Sequence, residues 1–398
     1  MKNAYKFGRV LMCLLVAFTF GIVLVACGAP ADVAVDSISL NMTTTTMAVG
    51  ETLSLVATVS PDNATDKTVT WASSAEQVVT VTENGLVTAL AVGTADVTVK
   101  SADDETKTAV CHITVIAPYV TVGEGEGATR YADLQTAIDA TSETNNTVYL
   151  HGNLAVGKTI TINKNHALTI IGGDGYSRSV ISAADDFDSN CTNLFNVLGS
   201  GNVTIKYVRL MANLKCRVMR IANTGNVSLK GVIFTGGQIS DVTNWAPGLF
   251  ITGKSNVELT DCNFFGNVNY DQTLTASTPT KYYATDLWAG SETIVTIGND
   301  CEVGNVVKNA NYAGKDGSML IVNSGSRIDN LFLQYDEYYG GTDSIANKGT
   351  GIAGAILKLV GGKVRNLHIA NEQNIVTTTT NAETGYIYQA GKDKVAIG

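Results

Sequence analysis

Asn202-Val-Thr-Ile-Lys-Tyr-Val-Arg-Leu210 is echoed by Asn226-Val-Ser-Leu-Lys-Gly-Val-Ile-Phe234 and again by Asn256-Val-Glu-Leu-Thr-Asp-Cys-Asn-Phe264. A small polar turn introduces each copy: Gly199-Ser-Gly201, Asn223-Thr-Gly225 and Gly253-Lys-Ser255. Inside a copy the apolar residues alternate and a large apolar residue closes the unit. Period-two alternation describes a strand with one buried face. A strand–turn unit that recurs after 24 and then 30 residues predicts a stacked solenoid.

Working outward, Ile160-Thr-Ile162 and Ala167-Leu-Thr-Ile-Ile171 precede these copies. Cys301-Glu-Val-Gly-Asn-Val-Val307, Arg327-Ile-Asp-Asn-Leu-Phe-Leu333 and Lys363-Val-Arg-Asn-Leu-His-Ile369 follow them and share an apolar-x-Asn-apolar-x-apolar pattern. Equivalent residues of successive coils stack, so Asn305, Asn330 and Asn366 are expected to form part of a side-chain ladder. The whole amounts to about nine or ten coils of roughly 25–30 residues each. Irregular spacing predicts loops bulging from the coils at Ala183–Asn193, Tyr270–Leu287 and Tyr335–Gly351.

Composition agrees with an all-β chain. Charged residues make up only 16%, Gly is abundant at 39 and Pro scarce at 5, which suits strands and tight polar turns. The net charge of −9, with no basic stripe interleaved with aromatics, argues against nucleic acid as a partner. With 398 residues, the chain is long enough for more than one domain.

The first residues read as a targeting segment: Lys2, Lys6 and Arg9, then an apolar run from Val10 to Ala26. Leu24-Val-Ala-Cys-Gly28 resembles the bacterial lipobox, whose cysteine becomes diacylated and then N-terminal. The resemblance implies lipidation at Cys27, with an ordinary signal peptide or signal anchor as the alternative. Removing residues 1–26 takes away three positive charges and no acids, moving the net charge from −9 to −12. Cys111, Cys191, Cys216, Cys262 and Cys301 are widely spaced and show no zinc or redox spacing. They read as small apolar residues, with one disulfide between adjacent coils open as an alternative.

After a tether over 27–35, residues 36–116 show short alternating segments at Ile38–Leu40, Leu53–Val59, Val69–Trp71, Val79–Val81, Val97–Val99 and Val110–Val115, separated by turns. That spacing predicts a β-sandwich. Met47-Ala-Val-Gly-Glu-Thr52, Val69-Thr-Trp-Ala-Ser-Ser74 and Asn84-Gly-Leu-Val-Thr-Ala-Leu-Ala-Val-Gly-Thr-Ala-Asp-Val-Thr-Val99 resemble the bacterial Ig-like domain of group 2. The resemblance makes Trp71 the core indole and implies an extracellular role.

Residues 117–127 read as a linker. In Tyr131-Ala-Asp-Leu-Gln-Thr-Ala-Ile-Asp-Ala140, Leu134, Ala137 and Ile138 form the apolar stripe of a helix with Asp133 as N-cap. Such a helix covers the open end of a stacked core. The helix followed by Thr147-Val-Tyr-Leu150, with the repeats behind it, resembles the right-handed parallel β-helices of the pectin-lyase-like superfold. That β-helix is expected over 128–398.

Enzymes of this fold usually place carboxylates and basic residues on adjacent coils of one flank, so two charges meet at one sugar. Asp185, Asp186, Asp188 and Asn190 make an oxygen-rich loop that could suit calcium, but the spacing is not that of an EF-hand and a solvated acidic loop is the preferred account. Arg209, Lys215, Arg217 and Arg220, with Asp261 on a neighbouring coil, read as charges on a coil's outer face, with a grip on an acidic polysaccharide as the alternative. His112, His151, His166 and His368 are isolated. The aromatics Tyr282, Tyr283 and Trp288, and Tyr335, Tyr338 and Tyr339, suit stacking on sugar faces. No catalytic residue, metal or cofactor is assigned. The expectation is a lipid-anchored surface protein, non-catalytic and recognising glycan or protein, displayed on an Ig-like spacer. A polysaccharide lyase or glycoside hydrolase is the alternative.

Overall fold

A computed structural model describes residues 32–173, 178–239, 246–269, 286–290, 292–309, 319–334, 356–369, 375–378, 382–389 and 395–396. Cys27 with its leader, and Tyr282, Tyr283, Tyr335, Tyr338 and Tyr339, lie outside them. The described chain is all-β, with an N-terminal Ig-like sandwich followed by a parallel β-helix.

In the sandwich, Thr44–Ala48, Thr108–Ile116, Gly93–Ser101 and Val69–Ser73 form one sheet, while Thr52–Ser54, Leu86–Ala89 and Val79–Val81 form the other. Ser37–Leu40 pairs with Ala57–Ser60 as a two-stranded sheet. The segment 53–59, expected as one strand, breaks at Leu55, which is buried, while the Asn41 side chain accepts from Val56 N. The break lets one stretch serve two sheets. Trp71 packs against both apolar clusters of the module, as its expected role requires.

Only Ala117 and Pro118 separate the last sandwich strand from the next strand, Tyr119–Val122. This strand falls inside the stretch read as a linker, yet it pairs antiparallel with Thr147–His151 and with Thr129–Tyr131. Val120 and Val122 point into the β-helix core. Two apolar residues are too short an alternation to read as a strand without a partner in view. The helix, Leu134–Asp139, is capped by Asp133, whose carboxylate accepts from Thr136 N at 2.9 Å. It buries Leu134, Ala137 and Ile138 against the same core, as the stripe predicted. The two modules also touch directly: Asn153 N donates to Val49 O at 2.9 Å.

The β-helix has three faces at its start. The first face is an 11-stranded sheet whose two outermost strands are the antiparallel cap and whose other nine are parallel. The second face holds Leu154–Val156, Ser179–Ala183, Val208–Met211, Ile233–Thr235 and Asn263–Phe265. The third holds Ile160–Lys164, Asn193–Gly199, Arg217–Ile221, Leu249–Ile251 and Leu287–Ala289. From Glu302–Asn309 onward the two faces merge, and Arg327–Gln334, Lys363–Ile369 and Glu383–Gln389 each span both.

Each copy of the repeat is an angle, not one strand. Its sixth residue turns the corner between first and second faces in the left-handed region. Tyr207, Gly231, Asp261, Asp300, Gly325 and Gly361, stacked coil on coil, have φ of 56°, 63°, 51°, 58°, 81° and 78°. Gly and Asp tolerate this conformation best. The closing residues Leu210, Phe234 and Phe264 then point inward on the second face, and the two phenyl rings stack at 4.5 Å.

The asparagine ladder forms as expected. Asn330 Nδ2 donates to Asn305 Oδ1 and Asn366 Nδ2 to Asn330 Oδ1, both at 2.8 Å. A second runs at the entry to the first face: Asn256 Nδ2 donates to Asn226 Oδ1 at 2.8 Å, and Asn202 Oδ1 accepts from Asn226 N at 3.0 Å. Asn330→Ala removes the middle rung and two hydrogen bonds, so chemical denaturation should show a loss of about 1–3 kcal/mol.

Candidate functional site: the loop-bearing edge

The loops concentrate on one edge. Between second and third faces the coils carry connections 157–159, 184–192, 212–216, 236–248 and 266–286, after which the faces fuse and the connection vanishes. The expected loop Ala183–Asn193 belongs to this edge; of Tyr270–Leu287 only 286 and 287 lie among the described residues, and the loop expected at Tyr335–Gly351 lies outside them. The two longest connections start side by side, because Gln238–Ile239 pairs in parallel with Val268–Asn269.

Buried polar side chains hold the bases of these excursions. Arg217, expected among outer-face charges, is only 3% exposed. Its Nε donates to Ala246 O at 2.9 Å and its Nη1 to Asn193 Oδ1 at 2.6 Å. Burial, and secondarily the charge of Arg220, push the guanidinium down to about 10, which still leaves it protonated at neutral pH. The parity of Arg217 is that of the buried Met219 and Ile221, and Ala246, Asn193 and the Phe250 ring enclose the guanidinium. One coil on, Asn267 Oδ1 accepts from Gly237 N at 3.0 Å, while its Nδ2 donates to Asp286 Oδ1 at 3.1 Å. Asp286 Oδ2 accepts from Asn305 N at 3.0 Å. Burial raises the Asp286 carboxyl, and the hydrogen bonds from Asn305 and Asn267 oppose the rise.

Beside this edge, one row of the third face stacks Thr161, Asn196, Arg220, Phe250 and Trp288 in register. The Phe250 ring stacks on Trp288 at 4.7 Å, and the Arg217 guanidinium carbon lies 4.5 Å over the same ring. Asn196, Arg220 and Phe250 are half-exposed, whereas Trp288 is buried. The Phe250 ring is thus held between Arg217 of the coil before and Trp288 of the coil after. Its exposed edge, with the Asn196 amide and Arg220 guanidinium along the same row, is a rigid apolar and donor-bearing strip that suits a sugar ring.

The other residues singled out in the sequence disperse. Asp188 accepts from Asn190 N and Nδ2, both at 2.9 Å, closing its own turn. Lys215 Nζ donates to Ala184 O at 2.7 Å and Asp185 O at 2.6 Å, so it braces that loop. Asp261 sits at the opposite edge of the second face, paired with Arg178 at 3.0 Å. Asp185, Asp188 and Asp261 therefore do not converge, and Arg209 lies on the second face, apart from Arg220 on the third. No group of three or more His, Cys, Asp or Glu among the described residues is placed to hold a metal ion. Sequence reasoning missed Phe250, Asn193, Asn267 and Asp286. Phe250 follows Gly248-Leu249 with no repeated signal, and the polar three act only through contacts across coils.

Residues 34–112 match the bacterial Ig-like domain (group 2), and this module is such a domain. A galactosyl-arabinofuranosidase of Bifidobacterium longum (3-O-alpha-D-galactosyl-alpha-L-arabinofuranosidase) is 49% identical over 67 residues, 17% of this chain and 6% of that enzyme. An Ig-like virion protein of Serratia phage KSP90 is 48% identical over 86 residues, 21% of this chain and 33% of that protein. An uncharacterized protein of Clostridium acetobutylicum is 42% identical over 78 residues, 20% of each chain. The chain thus spans a third or less of the curated relatives it matches. No helix among the described residues is long and apolar enough to cross a membrane.

Proposed function

We propose that the chain is a lipid-anchored surface protein that binds a polysaccharide along the loop-bearing edge, without cleaving it. The carrying observation is the Arg217–Phe250–Trp288 stack beside Arg220 and Asn196, on a face where the long loops emerge. The Ig-like module, joined to the β-helix by two residues and a direct contact, acts as a stiff spacer. Acylation of Cys27 supplies the anchor; two or three acyl chains, at about 0.8 kcal/mol per buried methylene, give lasting attachment. The galactosyl-arabinofuranosidase and a lacto-N-biosidase of Bifidobacterium bifidum, 46% identical over 65 residues, share only the Ig-like module, 6% of each enzyme, so their likeness bears on the spacer and not on the edge.

Asp286 is the observation on the enzymatic side, since a raised carboxyl suits a general acid. Both of its oxygens, however, are engaged by Asn267 and Asn305, and its place is at a loop base. A binding site is the better account.

A glycan-array screen of residues 28–398 tests the reading. The chain should retain a defined set of glycans, and Phe250→Ala together with Arg220→Ala should cut retention at least about tenfold, given 1–3 kcal/mol for a lost stacking contact and its polar neighbour. Retention by the Ig-like module alone, or none by any glycan, would overturn it. For the anchor, metabolic labelling with palmitate should mark the wild type and leave Cys27→Ala unlabelled; a labelled variant would refute lipidation.

A further inference from the structure

Two thiols in the wall of the β-helix core form a pair that neither the packing nor the proposed binding site requires. The residue after each left-handed corner points inward, giving the stack Val208, Val232, Cys262, Cys301 and Ser326, all buried. Adjacent coils therefore place two cysteines one above the other, Asn263 being in register with Glu302. Strand neighbours lie about 4.7–4.9 Å apart, inside the Cα separation of 4.4–6.8 Å that a disulfide tolerates. Cys262 N donates to Cys301 Sγ at 3.4 Å, so the Cys301 sulfur leans back toward its partner. The two thiols also share a hydrogen bond.

We propose that Cys262 and Cys301 are an intramolecular disulfide site that staples two coils across the long excursion 266–286. Cys301 acts first: the hydrogen bonds from Cys262 lower its thiol, whereas burial raises that of Cys262. The Cys301 thiolate attacks a small-molecule disulfide such as glutathione disulfide, forming a mixed disulfide and expelling one glutathione thiolate, which takes up the proton lost by Cys301. The Cys262 sulfur, losing its proton, then attacks the Cys301 sulfur and expels the second glutathione. The two protein thiols are thereby oxidised, and one glutathione disulfide is reduced to two thiols. Because both sulfurs are fully buried once the coils close, the exchange belongs to the folding chain. It does not depend on where the protein resides, since the oxidant is supplied.

The test is differential thiol labelling of the full chain synthesised with glutathione disulfide, and in parallel with reduced glutathione, taking the soluble, protease-resistant fraction of each. Each sample is denatured in acid, blocked with N-ethylmaleimide, reduced, and labelled with iodoacetamide before peptide mapping. In the oxidised sample Cys262 and Cys301 should carry only the second label and run as one cross-linked peptide before reduction, while Cys111 carries the first. The sample synthesised with reduced glutathione should melt roughly 5–10 °C below the oxidised one, and the two should coincide for Cys262→Ser. First label on both cysteines of the oxidised wild type, or a link from either to Cys191 or Cys216, would overturn the proposal even if the serine variant fails to fold.

Discussion

Replacing Lys308 with Met should flatten the alkaline side of the stability profile. Lys308 is fully buried in an inward row, in register with Ala289 on the coil before and Leu333 on the coil after. Its Nζ donates to Gly290 O at 2.6 Å and to Thr293 Oγ1 at 2.8 Å. Burial drives its amine well below the ordinary 10.5. Between that lowered value and 10.5 the unfolded chain binds the extra proton, so stability rises with pH across the window and is lost as pH falls through it. The slope is about 1.4 kcal/mol per pH unit for one such group. Urea titrations at successive pH values inside that window should therefore show wild type gaining on Lys308→Met by about that amount per unit. Parallel profiles would mean that the amine keeps its charge in the folded protein. At the acidic end of the window the variant should be the more stable, because an apolar isostere of a buried cation often gains about 1–4 kcal/mol.

Arg217→Ala should cost about 3–5 kcal/mol, the largest loss expected from a single polar substitution at the edge. It leaves Ala246 O and Asn193 Oδ1 without their guanidinium donor and strips the cation from the Phe250 ring. Charge-assisted hydrogen bonds contribute about 1.5–3 kcal/mol each. Arg217→Lys should recover less than half of the loss, since an ammonium cannot reach both acceptors and cover the ring at once. Because the same group holds the base of the 236–248 excursion, limited proteolysis should open that loop in both variants before the coils melt. A variant within 1 kcal/mol of wild type, an error-sized difference against the loss of about 3–5 kcal/mol, would show that the edge is held from elsewhere.

What the sequence revealed and concealed follows from the range of each interaction. The stacked coils, the Asp133-capped helix and the 305–330–366 ladder are written in periodicity and short spacing, which are local. The corner at the sixth residue of the repeat was visible too, as Tyr207, Gly231 and Asp261. It shifts the phase of the alternation, Val203 and Ile205 being followed inward by Val208 and Leu210. One odd residue reads as an irregularity of a single strand until neighbouring coils repeat it. Arg217 reads as an outer-face charge because its type suggests solvent, and its burial follows from partners at Asn193, Ala246 and Phe250 that only stacking of the coils brings near. Asn193, Asn267 and Asp286 lie 19 to 93 positions from one another along the chain and 24 to 69 from Arg217, and nothing local marks them as partners. Their network exists only because the coils stack, so no single segment could reveal it.

The central claim is that this edge holds a polysaccharide and leaves it intact. Electrophoresis of residues 28–398 through gels containing a glycan selected on the array, with the molar mass of the recovered polymer measured afterwards, tests both halves together. The account predicts retarded wild-type protein, normal migration for Phe250→Ala with Arg220→Ala, and a polymer of unchanged length. A shortened polymer, or equal retardation of the variant, would contradict it.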